Sequence, residues 1–594
     1  MAPWPLPQEY HYGSMTLWLD RNVQYVHKYV EASALGFAKT WNEEQALGFV
    51  GSRLSSHSRL LILLMVRKES ASYEHESPPA VSQEILKSAF HRTLTNIFSE
   101  QFVPHKLHAR NADYEPSLDD AKNLSNFVKK IIVKEYRTAG QEKPQQSLLD
   151  EAYTLHLSED GHFTIKITSY KGGLHALASL SQLFFRHSMA TATDIVYTPY
   201  APVHIEDGPA FAHRGLNLDI SRNRISPQDA MRTLDAMALN KFNRLHLHAS
   251  DSQSWPLEIP SLSDLARKGA YDHSQIWSVA DLKEVQDYGS DRGVEVYVEI
   301  DLPGHTASVH HAYPNLITAY NQQPWEPFAA EPPSGQLKLN SVQVTEFITA
   351  LLRDLLPRIS PCSSHFHVGG DELNTKAYTL DPNVNSSVKE VIRPYLQSFF
   401  DHVFSLTAAY SLTPLAWEDI LLEWELELPK STIIQTWRSH ASLAAVVAKG
   451  HRALFGACND WYLDCGLGSW VDPDISNDAT SVKRPFLDWC NPFKNWRHVY
   501  TYDPLESIPE EHKHLVLGGE VHLWGELTDS TTLDFMLWPR AAAAAEVLWK
   551  GHREVSEDTT RRLAEMRERL VARGIRSGMV QMEWCLKNPG GCLL

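Results

Sequence analysis

Asp371 and Glu372 are adjacent carboxylic acids that follow Gly369-Gly370 and the short run His365-Phe366-His367-Val368. Adjacent residues on a strand point to opposite sides, but a Gly-Gly step frees the backbone to turn and bring both acids over one ligand. Two carboxyls in one pocket are pushed apart in pKa, as a general acid working beside an ionised group requires. The competing reading is a solvated Asp-Glu pair on a loop, because charged side chains are mostly exposed. The rest of the chain has to decide between them.

From about residue 210 onward, short strand-like runs recur, each followed by polar or aromatic residues and then by a helical stretch. Eight are recognised: 215–220, 244–248, 295–300, 365–368, 414–417, 432–437, 453–457 and 516–523. Helix candidates lie between them at 227–239, 279–292, 342–356 and 442–449. This alternation predicts an α/β fold, a (β/α)8 TIM barrel whose active site is built from the C-terminal strand ends. Those ends carry Asp219 and Arg222; His248 and Asp251; Glu299, Asp301 and His305; Asp371 and Glu372; Trp417 and Glu418; Trp437; Tyr462 and Asp464; and Trp524 and Glu526. A mouth ringed by acids and tryptophans suits a polyhydroxylated ligand, since unpaired carboxylates need hydroxyl donors and indole faces suit sugar rings.

Residues 1–205 read as a smaller α+β domain placed before a catalytic domain at 206–594. A buried strand is expected at 60–66, a polar loop at 67–82, a hairpin from 152–157 and 163–168, and a helix at 174–185. This part has no acid pair set on a Gly-Gly step and no metal-spaced histidines, so support is its expected role.

Several chemistries are excluded. The net charge of -17 argues against nucleic acid as a partner. There is no His-Glu-x-x-His run, no CxxC pair and no Asp-rich calcium loop, so neither metal nor cofactor is expected. A phosphate-cradling glycine loop and a Gly-x-Ser-x-Gly elbow are also missing. The longest apolar run, 60–66, is far short of the roughly 20 residues of a membrane span, so no membrane association is expected. Residues 1–7 do not have the makeup of a signal peptide. The Asn123 and Asn385 sequons and the Cys585/Cys592 pair around an Asn-Pro-Gly-Gly turn nevertheless point to a secreted glycoprotein whose signal segment is not in this chain. Cys490 has Cys465 or Cys458 as possible partners, and spacing does not choose between them. What remains is acid-assisted cleavage of a glycosidic bond.

The sequence resembles the retaining β-N-acetylhexosaminidases of glycoside hydrolase family 20, in particular the secreted fungal chitinolytic members. The resemblance rests on Arg214-Gly-Leu-Asn-Leu-Asp219, Asp251-Ser-Gln-Ser-Trp-Pro-Leu-Glu-Ile-Pro260, Glu299-Ile-Asp-Leu-Pro-Gly-His305, His367-Val-Gly-Gly-Asp-Glu372, Trp461-Tyr-Leu-Asp464 and Gly519-Glu-Val-His-Leu-Trp-Gly-Glu526. It implies an exo-acting enzyme that releases terminal β-linked GlcNAc, and GalNAc, through an oxazolinium intermediate formed by the substrate's own acetamido group. By the same resemblance Glu372 is the acid/base, Asp371 holds the acetamido N–H and Tyr462 its oxygen. Arg214 would hold O3 and O4, Asp464 and Glu526 would accept from O4 and O6, and Trp417, Trp437 and Trp524 would wall the sugar. Asp251 and His305 would support Glu372 and keep it protonated at mildly acidic pH. The family also implies a homodimer, and the absence of a second cysteine near Ser334 implies that Cys362 is unpaired. The alternatives are a carbohydrate-binding protein on an inactive barrel, and an ordinary two-carboxylate glycosidase with a covalent glycosyl-enzyme.

Overall fold

The computed structural model describes residues 1–32, 80–122, 126–138, 148–190, 195–472 and 485–593. The strand expected at 60–66, most of the loop at 67–82 and the Asn123 sequon lie outside the described residues.

The N-terminal unit is a six-stranded sheet of β1 (Glu9–Ala32), β2 (Phe127–Thr138), β3 (Tyr153–Leu157), β4 (His162–Ile167), β5 (Phe185–Arg186) and β6 (Val196–Asp207), ordered β1-β2-β4-β3-β6-β5. The expected hairpin is β3 and β4, paired antiparallel. It turns at Gly161, whose φ of +79° and whose position against the Phe127 carbonyl exclude a side chain. Apolar residues alternate along both strands, and the inward set (Leu155, Leu157, Phe163, Ile165) packs with Leu86, Phe90, Leu177 and Leu180 of the helices Ala80–Ser99 and Tyr170–Ser181. The long strands β1, β2 and β6 were not anticipated from the sequence, because their many polar and charged residues hide the period of two.

All eight barrel strands predicted from the sequence are present. They are β7 (His213–Asp219), β8 (Arg244–His248), β9 (Glu295–Glu299), β12 (His365–His367), β13 (Thr413–Trp417), β14 (Ile433–Gln435), β15 (Arg452–Phe455) and β16 (Val516–Leu523), closed with β16 against β7. A two-residue ribbon, β10 (Ile317–Thr318) with β11 (Gln336–Leu337), decorates the loop after β9. All neighbouring barrel strands are parallel, so their C-terminal ends share one mouth. Capping sets where the surrounding helices begin. Ser226 with Asp229 and Ser278 with Asp281 form capping boxes that start Pro227–Leu239 and Val279–Ser290.

The barrel axis is polar. Glu520 accepts from His213 Nε2 (2.6 Å), Tyr297 Oη (2.6 Å), His246 Nδ1 (3.0 Å) and Gln435 Nε2 (2.9 Å). Gly215 makes room for it, since a Cβ there would meet the Glu520 carboxylate at 2.3 Å. One layer higher, Glu299 accepts from His248 Nδ1 (2.6 Å) and Trp417 Nε1 (2.7 Å), and the rings of His246 (2.9 Å) and His367 (3.1 Å) lie against it. A buried acid surrounded by donors in this way is satisfied rather than stranded.

At the entry end the N-terminal sheet is bonded to the barrel. Glu151 accepts from Arg214, from Asn243 Nδ2 (3.0 Å) and from His175 Nε2 (2.8 Å). Asp207 accepts from Lys241 Nζ (2.7 Å), Tyr153 Oη (2.7 Å) and Trp549 Nε1 (2.8 Å).

Candidate active site

The mouth gathers Asp371, Glu372, Tyr462, Trp417, Trp437, Asp464, Trp524, Glu526, Asp251 and His305, all at or just beyond the C-terminal ends of barrel strands. Arg214 is the exception. It sits at the start of β7, buried at the entry end, where its guanidinium donates to the Lys241 carbonyl (2.8 Å), the Phe211 carbonyl (2.9 Å) and Glu151. With each of its three nitrogens engaged and the length of the strand between it and the mouth, it cannot hold a sugar. The arginine at the mouth is Arg222, just past β7. It bonds Asp219 Oδ2 (3.1 Å), Asp251 Oδ2 (2.8 Å) and Glu331 Oε1 (2.7 Å), and lies 5.1 Å from the Trp524 ring centroid. Burial disfavours its charge, but these acids and Glu526 outweigh burial and hold it above its ordinary pKa. For Arg214 burial wins and the pKa is lowered.

The Gly-Gly step does what the sequence implied, with a second acid involved. Asp301 bonds the Gly370 N–H (2.9 Å), and a Cβ on Gly369 would fall on the Asp301 carboxylate. The backbone then runs through positive φ at Gly369 (+70°), Gly370 (+105°) and Glu372 (+49°). A non-glycine residue held at positive φ is a marker of a functional constraint. Asp371 is half-buried, its Oδ1 is out of solvent, and no N–H or O–H among the described residues reaches that oxygen. Burial, and then the charge of Asp301, push Asp371 well above the usual carboxylate range. Asp301 is itself raised to about 6, chiefly by burial.

Glu372 is the more open of the two acids, and its Oε2 lies 3.3 Å from His305 Nε2. Behind it runs a chain of alternating rings and acids: His305 Nδ1 to Asp251 Oδ1 (3.0 Å), then Asp251 Oδ2 to His248 Nε2 (2.8 Å) and on to Glu299. Burial alone would discharge His305 and His248, but Asp251 on the first and Glu299 on the second raise both well above the ordinary histidine pKa.

Tyr462, Trp417 and Trp524 form one aromatic cluster, with Trp437 packed on it and stacked on Tyr462 at 6.5 Å. Trp489 stands edge-on to both Trp437 and Tyr462 at 6.1 Å and is 67% exposed. On the far side, Asp464 is raised to about 7 by burial, and Glu526 is raised well above its range by burial and by Glu331. Glu331, Trp489 and Asp419 are functional-site residues that the sequence does not single out. Their cues were slight: Glu331 lies in the Ala-Glu-Pro-Pro loop, Trp489 precedes a cysteine and Asp419 follows Trp417-Glu418.

Disulfides join Cys465 to Cys490 and Cys585 to Cys592, while Cys362 and Cys458 are free thiols. The first anchors the loop that carries Trp489. No helix among the described residues is long and apolar enough to cross a membrane.

A closed parallel barrel whose C-terminal mouth holds paired acids in an aromatic cage defines a glycosidase of the (β/α)8 class. The chain belongs to glycosyl hydrolase family 20. Residues 211–552 match that family's catalytic domain, and residues 3–183 match the beta-acetyl hexosaminidase like domain. The chain is 44% identical to a beta-hexosaminidase of Arthroderma benhamiae, over 100% of this chain and 97% of that one. It is 31% identical to a chitooligosaccharidolytic beta-N-acetylglucosaminidase of Ostrinia furnacalis, over 75% of each chain. The fold is similar to the Vibrio harveyi family 20 exo beta-N-acetylglucosaminidase in complex with N-acetylglucosamine (TM-score 0.67, 20% identity, 98% of this chain and 78% of that one). The Streptomyces plicatus N-acetyl-beta-hexosaminidase is similar too (TM-score 0.64, 20% identity, 97% and 96%). The protein is thus a β-hexosaminidase-type hydrolase.

Proposed function

We propose that the protein is a secreted, exo-acting enzyme that releases terminal β-GlcNAc, and β-GalNAc, from chitooligosaccharides or glycans by substrate-assisted catalysis. The observation that carries this reading is that Asp371 and Glu372 are adjacent and unlike: the less exposed acid has a buried oxygen lacking a donor, and the more exposed one touches His305. Glu372 donates its proton to the glycosidic oxygen as the C1–O bond breaks, while the acetamido oxygen forms a bond to C1. Asp371 accepts the acetamido N–H as the positive charge develops there. Tyr462 donates to the acetamido oxygen and keeps it aimed at C1, a gain in proximity. Glu372 then takes a proton from water, whose oxygen attacks C1 and opens the oxazolinium ring.

Arg222 takes the part expected of Arg214 and holds O3 and O4, with Asp464 and Glu526 meeting O4 and O6. Burial has left those two carboxyls short of water, so sugar hydroxyls supply the polar contacts they lack. Trp417, Trp437 and Trp524 wall the ring. His305 and Asp251 orient Glu372. Two disulfides and an exposed Asn385 sequon support the extracellular setting.

Glu372→Gln is expected to lower kcat on an unactivated glycoside about 10²- to 10⁴-fold with the circular dichroism spectrum unchanged. A thiazoline mimic of the oxazoline is expected to inhibit the wild type competitively and strongly. Weak thiazoline inhibition, together with a covalent glycosyl-enzyme seen by mass spectrometry, would instead identify the two-carboxylate mechanism.

A further inference from the structure

We propose that Asp419 is a positioning residue whose single carboxylate holds the Trp437 indole and the Glu372 backbone in register. The inference rests on the reading of Glu372 as the proton donor. Asp419 begins the one-turn helix Asp419–Leu422 just beyond β13 and is wholly buried. Its Oδ2 accepts the indole N–H of Trp437 (2.9 Å), and its Oδ1 accepts the backbone N–H of Glu372 (3.3 Å). Arg438 Nη2 donates to the same Oδ1. Its neighbour Glu418 fixes Trp437 a second time, accepting that residue's backbone N–H (3.2 Å) on Oε2 and the Ser442 hydroxyl (2.9 Å) on Oε1. The Glu418-Asp419 pair therefore ties the end of β14 to the loop after β12.

This tie matters because of the conformation at Glu372. A non-glycine residue at φ +49° is strained and keeps that shape only when its surroundings hold it. The Asp419 carboxylate accepts the N–H of that residue and simultaneously the N–H of the wall that confines the acetamido group. Losing one contact allows the acid to drift relative to the wall, and a shift of about 1 Å near the reacting atoms is worth about 10²-fold in rate. An ion pair that merely tethers Arg438 accounts for less, since Arg438 is partly exposed and also bonds Glu423 (3.0 Å).

The test uses two β-N-acetylglucosaminides of similar size: 2,4-dinitrophenyl, whose leaving group departs with little protonation, and phenyl, whose leaving group needs it. In Asp419→Asn the amide offers one acceptor to two N–H donors, so one contact must break. We expect its kcat/KM to fall about ten-fold further on the phenyl than on the dinitrophenyl glycoside, part of the value of general acid catalysis. Trp437→Phe removes the indole N–H and is expected to shift the same ratio in the same direction, with the double variant shifting it no further than the larger single change. Equal losses on the two substrates in both variants overturn the proposal. If Asp419→Asn does not fold, an unchanged ratio in Trp437→Phe overturns it alone. Full activity of Glu372→Gln on the phenyl glycoside would remove the proton-donor reading itself. An inactive Glu372→Gln with flat ratios removes only the role of Asp419.

Discussion

Two arginines flank β7, and they show what each end of the barrel is for. Arg214, at the entry end, is spent on two carbonyls and on Glu151 of the N-terminal domain. Arg222, at the mouth, is held charged among Asp219, Asp251 and Glu331 beside an open aromatic cage. In the proposed function the same side chain serves assembly at one end and recognition at the other, as expected of a barrel whose bottom face carries stability and whose top face carries function. The histidines divide in the same way. His305 and His248 near the mouth are raised by their acid neighbours, whereas burial lowers His213 at the floor to about 4.

Replacing each arginine by alanine tests this contrast. Arg222→Ala should cost about 10²-fold or more in kcat/KM, because charge-assisted hydrogen bonds are worth roughly 1.5–3 kcal/mol each. Steady-state kinetics on an aryl glycoside reads the loss, and an unchanged kcat/KM would return O3 and O4 to another residue. Arg214→Ala should instead cost stability, about 3–5 kcal/mol for a broken buried ion pair, seen as a lower urea midpoint. The folded fraction should keep its KM within about two-fold, since Arg214 makes no mouth contact and its partners are distant from the cage.

A smaller effect separates the histidines by pH. His305 binds its proton more tightly in the folded state, so its contribution to stability is complete below pH 6.5 and is lost as pH rises through its folded pKa. His213 is neutral when folded, so its contribution is present above pH 6.5 and is lost as pH falls towards about 4. Urea midpoints across pH should therefore show His305→Ala flattening the alkaline decline and His213→Phe flattening the acidic one. The reverse pattern would contradict the division between mouth and floor.

Much of this was legible in the residues. The eight barrel strands could be read because each is a short apolar run ending in chemistry-bearing residues, and the Gly-Gly-Asp-Glu turn announced its own geometry. The assignment of Arg214 failed for an instructive reason. The run from Arg214 to Arg222 contains both arginines, and only the strand direction and a partner from a distant domain, Glu151, separate them. Asp419 was invisible because its importance lies in two N–H groups brought to it from other strands. Asp301 is legible as a strand-end acid, but its seat in the Gly369 notch beside Asp371 appears only in the folded chain.

The central claim is that Asp371 and Glu372 divide the work because the substrate supplies the nucleophile. The most direct measurement is kcat/KM across aryl β-glucosaminides whose 2-acetamido group carries zero, one, two or three fluorines. Fluorine drains electron density from the attacking oxygen and leaves the leaving group untouched. The account predicts a steep, monotonic fall in rate along the series, and a flat series would contradict it.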